Sequence, residues 1–182
     1  KEQLRVLVDI GQALAQKYDA VVTNPPYVGG RNMNNLLLDR IVTKYPEGKA
    51  DLFSAFILRC GVFTKPNGFY AMITQHSWMF LSSFETLRNK VIHDNFINMA
   101  HLGARAFEEI SGEVVQTVSW IARKHDVKHY RASFVRLVNG DSQQSKERKY
   151  LNHEELYIRE IEMFSTIPGN AFAYWLGNPD MF

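Results

Sequence analysis

The sequence predicts an α/β fold with a mostly parallel sheet and an antiparallel late strand, on three observations. Short β-branched or aromatic runs end on Pro, Gly or Asn; apolar residues between the first of these runs recur at helical spacing; and the later runs follow one another without helices between them. The 182 residues, 46% of them hydrophobic, are enough to bury roughly 70% of the unfolded surface in one packed domain. That composition excludes disordered and collagen-like classes. The apolar run at 69–73 falls far short of the ~20 residues a membrane helix requires, so no membrane partner is expected. The single cysteine, Cys60, forms no internal disulfide and lies in an apolar helical stretch. A buried thiol in a reducing, cytoplasmic setting is the expectation. A net charge of +2 neither supports nor excludes a nucleic-acid partner.

Residues 2–17 place Leu4, Leu7, Val8 and Leu14 at helical spacing, with Gly11 weakening the middle. Residues 20–23 are a short strand that Asn24-Pro25-Pro26 stops, because proline donates nothing to a ladder. Residues 28–50 read as a surface excursion with a short helix near 36–42. Residues 51–63 have a helical apolar period, and Lys65-Pro66-Asn67-Gly68 marks a stop and turn. Strands are predicted at 69–74, 96–102 and 114–122, a helix at 84–93, and an added antiparallel strand at 130–138. Residues 140–149 read as a polar loop or linker and 154–164 as a helix, ended by Pro168-Gly169 before an aromatic tail with Tyr174 and Trp175. The chain divides at 139, with 140–182 taken as a linker and the start of a following helical or target-recognition region.

The informative element is Asn24-Pro25-Pro26-Tyr27 directly after a strand. Asn-Pro and Pro-Pro are ordinary turn punctuation, yet a specified string of this kind arises by chance on the order of once in a thousand chains of this length. Two prolines stiffen the loop, so that a carboxamide and a backbone carbonyl can be aimed at one spot.

The string YDAVVTNPPYV resembles the acceptor-site motif of class I methyltransferases that act on exocyclic or amide nitrogens, and adenine-N6 DNA methyltransferases are its commonest bearers. The resemblance implies part of a class I, Rossmann-like fold. It also implies that the Asn24 side-chain oxygen and the Pro25 carbonyl accept hydrogen bonds from a target amino group. Tyr27 would then stack on an adenine flipped out of double-stranded DNA, with Pro26 stiffening the loop. Residues 49–53 and 65–69 resemble the family's following helix, turn and strand, and Gln75-His76-Ser77-Trp78 stands where a polar run follows that strand. The segment GARAFEEISGEVVQTVSW resembles a later motif whose aromatic residue packs on the other face of the base. Phe107 is the candidate, with a core aromatic as the equal alternative. That segment and IPGNAFAYWLG are similar to the adenine methyltransferases of BREX phage-defence systems, and type IIG restriction-modification enzymes share the layout.

The family's cofactor is S-adenosylmethionine (SAM), gripped by a glycine-rich strand-to-helix turn. No such turn precedes Asn24, and Gly29-Gly30 and Gly11 do not follow a strand and open a helix. The opening at Lys1 without Met adds to the expectation of a fragment lacking the SAM-binding half. The strand at 20–23 is then expected to have a bare edge, which self-associates or is covered by the helix at 2–17.

Other constellations carry less. His125 and His129 have i,i+4 spacing, but too few ligands converge to predict a metal site. Arg123, Lys124, Lys128, His129 and Arg131 form a basic cluster that suits DNA phosphates or a solvated turn equally. His76 and Ser77 lack an Asp to complete a hydrolytic triad. Two alternatives stay open: a protein glutamine N5-methyltransferase, since the same loop can orient a carboxamide, and a non-catalytic DNA-binding or assembly module.

Overall fold

The computed structural model describes residues 2–107 and 115–177. In chain order the elements are α1 (Glu2–Ala15), β1 (Tyr18–Thr23), α2 (Asn35–Lys44), α3 (Leu52–Phe63), β2 (Thr64–Gln75), α4 (Glu85–Val91), β3 (Asn95–Gly103), β4 (Thr117–Arg123), β5 (Arg131–Arg136), α5 (Gln143–Leu151) and β6 (Leu156–Glu160), with short 3-10 turns between them. One six-stranded sheet has the order β1-β2-β4-β3-β5-β6. β1 pairs parallel with β2, and β3 parallel with β5. β4 is antiparallel to both β2 and β3, and β6 is antiparallel to β5. Four strands therefore run one way, and their carboxyl ends share one end of the sheet.

Three local expectations are corrected. The strand at 130–138 is parallel to its neighbour β3, and the antiparallel strands are β4 and β6. Residues 154–164 form β6 and a 3-10 turn, not an α-helix; their backbone completes the ladder that β5 leaves open, and tertiary pairing overrides a weak helical period. The polar stretch 140–149 is mostly the helix α5, which Ser142 caps by accepting from the Ser145 N–H. Lys146 is 4% exposed and donates to the carbonyls of Leu102 and Leu137, pinning α5 across the ends of β3 and β5.

The core lies on one face of the sheet, under α3, α4 and the tail. It joins Phe53, Ile57, Tyr70, Trp78, Phe96, Trp120, Phe134, Phe164, Phe172 and Tyr174. Arg88, also buried, donates to the carbonyls of Trp78, Leu81 and Gly169, tying the tail to α4. A smaller cluster of Met33, Ile41 and Ala55 packs the excursion at 28–50 against α3. Gly48 is required there, because a Cβ would stand 2.7 Å from the Ala55 nitrogen. No residue of α1 is buried, so the helix does not bury β1, whose Val22 is 77% exposed. Among the described residues no helix is long and apolar enough to cross a membrane.

Candidate acceptor site

β1 ends at Thr23 opposite Met72 of β2, and the Asn-Pro-Pro-Tyr loop leaves from that carboxyl end. Asn24 and Pro26 are exposed, Pro25 is buried and Tyr27 is half-buried. The Asn24 carboxamide makes no hydrogen bond among the described residues, which leaves its oxygen free to accept. The Tyr27 ring meets Phe53 edge-on at 5.8 Å, and its hydroxyl donates to the Ile73 carbonyl of β2 at 3.2 Å. Burial, with the Asp51 carboxylate nearby, pushes the phenol up to about 12.

The loop is anchored by a residue that the sequence reading passed over. Asp51 Oδ1 accepts from the Phe53 N–H, capping α3, and from the Val28 N–H, the residue after the motif. The Leu52 N–H donates to the Val28 carbonyl and the Gly30 N–H to the Ala50 carbonyl, so the two segments are laced together. Burial raises the Asp51 carboxyl, while its backbone hydrogen bonds work against that rise. The signal was present in Asp51-Leu52-Phe53-Ser54, a capping box before an apolar helical run.

Phe107 is half-buried, beyond the carboxyl end of β3, and packs against neither apolar cluster among the described residues. β2 and β4 lie between β1 and β3, so the ends of those two strands stand on the order of 14 Å apart, and Phe107 lies four residues beyond the end of β3. Gly103, at φ +68°, turns the chain there, and a Cβ would press on Val138 at 3.0 Å. The residues following Phe107 in its motif, 108–114, lie outside the described residues.

The basic cluster is at the opposite end of the sheet, where Arg123 pairs with Phe69 and Asn95. Four of its five members have local partners. Lys124 donates to the Gly61 and Thr64 carbonyls, Arg123 to Asn67, and Lys128 pairs with Glu162 at 3.8 Å. Among the described residues, His129, Glu160 and Glu162 form one group with potential metal-ligand atoms within 4.8 Å of one another; His129 is exposed, the two glutamates are half-buried, and Glu162 is shared with that lysine. His125 does not belong to it. Cys60 is buried, and burial pushes its thiol up to about 11, which suits an inert core position.

His76 and Ser77 begin the turn after β2, and the partner of His76 is another histidine. His76 Nδ1 lies 2.8 Å from His101 Nε2, and His101 Nδ1 lies 2.9 Å from the Tyr174 hydroxyl. No spacing in the sequence announces this row, because its members come from the turn after β2, from β3 and from the tail. Gly29 and Gly30, the nearest glycine pair to the loop, are spent on Asp51 and Ala50. They do not open an α-helix.

A free carboxamide and a buried proline thus stand at the carboxyl end of β1, on an α/β sheet with the antiparallel β4 set between the parallel β2 and β3. A family model described as Eco57I restriction-modification methylase matches residues 4–107, and the chain belongs to that family. It is 45% identical over 179 residues to the adenine-specific methyltransferase PglX of Lacticaseibacillus casei strain Zhang, covering 95% of this chain and 15% of that protein. It is also 45% identical over 164 residues to the adenine-specific methyltransferase BrxX of Escherichia coli O9:H4 strain HS, covering 89% and 14% respectively. The chain thus spans about a seventh of the length of these relatives. The same fold occurs in the methyltransferase subunit of a type I restriction-modification system from Streptococcus thermophilus, with TM-score 0.58 and 17% identity over 86% of this chain and 37% of that one.

Proposed function

We propose that this chain is the acceptor-binding part of a DNA adenine-N6 methyltransferase of the phage-defence or restriction-modification kind. The observation that carries the reading is the Asn24-Pro25-Pro26-Tyr27 loop, held at a strand end with the Asn24 carboxamide free. Asn24 Oδ1 and the Pro25 carbonyl accept the two hydrogens of the N6 amino group, which directs its nitrogen lone pair toward the incoming methyl group. SAM supplies that methyl as an electrophile. Tyr27 stacks on the flipped adenine, a contact worth about 1–3 kcal/mol per base, and Phe107 approaches from the β3 side. Residues 140–182 are assigned to the passage toward target recognition. The open edge of β1 is read as a self-association surface.

Methyl transfer to DNA by the protein that carries this chain tests the reading, with N6-methyladenine quantified by mass spectrometry after nuclease digestion. Asn24→Ala is expected to lower kcat roughly 100-fold or more, the cost of removing one preorganised charge-stabilising contact. Unchanged N6-methyladenine formation would remove Asn24 from the site. Methylation of a glutamine peptide in place of DNA would select the glutamine methyltransferase, and DNA binding without any methyl transfer would select the assembly module.

A further inference from the structure

The row formed by His76, His101 and Tyr174 has a direction, and that direction determines what His76 offers outward. His101 is 3% exposed. The Tyr174 ring is stacked on Phe134 with centroids 4.9 Å apart, and stands at right angles to Trp175. The His76 ring is held edge-on to Phe80 at 5.3 Å and tilted on His101 at 5.1 Å. A phenol O–H is a stronger acid than a neutral imidazole N–H, and an imidazole nitrogen a stronger base than a phenol oxygen, so Tyr174 donates to His101 Nδ1. The Arg136 guanidinium, 5.0 Å from the Trp175 ring, also faces the Tyr174 phenol. Its positive charge attracts the phenol's oxygen lone pairs, which leaves the O–H for His101.

The rest follows from one proton per neutral ring. With Nδ1 accepting, His101 carries its proton on Nε2 and donates to His76 Nδ1, and His76 then carries its own proton on Nε2. Both rings are neutral at pH 7: burial, the neighbouring His76 and the charges of Arg136 and Lys146 push His101 down to about 3, and burial lowers His76. His76 Nε2 has no partner among the described residues. His76 follows β2 directly, at the same sheet end as the Asn24–Tyr27 loop, whose Tyr27 hydroxyl binds the Ile73 carbonyl three residues upstream.

We propose that Arg136, Tyr174 and His101 hold His76 in its Nε2–H tautomer, and that this N–H donates to a ring nitrogen of the acceptor purine. This rests on the adenine reading of the loop and deepens it: adenine offers N1, N3 and N7 as acceptors, whereas a glutamine carboxamide has no ring nitrogen. His76 touches the base, and the other three are positioning residues.

Two measurements test it. Two-bond proton–nitrogen correlations of the imidazoles in the 15N-labelled 182-residue chain are expected to show the Nε2–H form at both His76 and His101. Tyr174→Phe, which keeps the stacked ring and removes the donor, is expected to convert both to mixed tautomers, and Arg136→Met to shift them in the same sense. An Nδ1–H form at His76 in the unmodified chain, or an unchanged pattern in Tyr174→Phe, would overturn the tautomer assignment. Methyl transfer by the protein that carries this chain, on DNA with 1-deaza-, 3-deaza- or 7-deazaadenine at the target, is expected to show a roughly tenfold rise in KM for one analogue. That discrimination should vanish in His76→Phe. Equal use of all three analogues and adenine by the unmodified protein would overturn the contact. Failure to methylate adenine at all would overturn the proposed function while leaving the tautomer result standing.

Discussion

The packed face of the sheet and the α1–β1 region use the same kinds of residues to opposite effect. On the packed face Trp78, Phe96, Trp120, Phe134 and Phe172 are at most 1% exposed, and their rings meet at 4.8–6 Å in a continuous array with Phe164 and Tyr174. In α1, Leu4, Leu7 and Leu14 are more than half exposed and nothing is buried. Helical spacing of leucines therefore shapes an element without stabilising it, since burial depends on a facing surface. The Asn24–Tyr27 loop sits on the boundary between these regions. It leaves the exposed β1, and takes its rigidity from the packed side through Tyr27 on β2 and Asp51 on α3.

The sharpest way to break this comparison is to empty the packed side. Trp120→Ala removes an indole that contacts Tyr70, Trp78 and Phe96 and donates to Thr74. It is expected to cost about 3–5 kcal/mol in urea unfolding, and a loss under 1 kcal/mol would mean that this face is loosely packed in solution. Acid tests the same side more gently. The native state keeps His101 unprotonated down to about 3, whereas the unfolded chain takes up that proton near pH 6.5. The unfolded state thus binds more protons, so the contribution of His101 is full above pH 6.5 and falls as pH drops toward 3, by at most about 1.4 kcal/mol per pH unit. His101→Asn is expected to flatten that slope. The difference between the two urea-midpoint profiles cancels Asp51 and Asp94, whose raised carboxyls act in the opposite sense. Smallest of all is Leu7→Ser on the open side, expected to shift stability by no more than about 0.5 kcal/mol. A shift of several kcal/mol would show that α1 is covered in solution, and the contrast between the regions would collapse.

Much of the strand and helix layout could be read directly, because it is written in local pattern. The strand before Asn24, the helix capped by Asp51, the short helix in the 28–50 excursion and the strand at 96–102 all follow from periodicity and punctuation. Residues 140–149 and 154–164 depart from local pattern for one reason: whether such segments become helix or sheet depends on Lys146 finding the Leu102 and Leu137 carbonyls and on β5 offering an open edge. The same holds for the direction of β5, whose β3 partners each lie 35 residues away. In the candidate site, Asn24, Pro25, Pro26 and Tyr27 are contiguous and therefore visible. His76, His101 and Tyr174 lie 25 and 73 residues apart, and no spacing rule links them.

The sequence by itself determined the Asn24–Tyr27 loop at the end of β1, because a strand, two prolines and a carboxamide act within a few bonds of one another. Tertiary structure alone decided which basic residues are spent on carbonyls, which aromatic rings become core, and which nitrogen His76 presents. Those outcomes depend on hydrogen bonds and burial between distant segments, where a group's charge and tautomer are set by what the fold brings beside it.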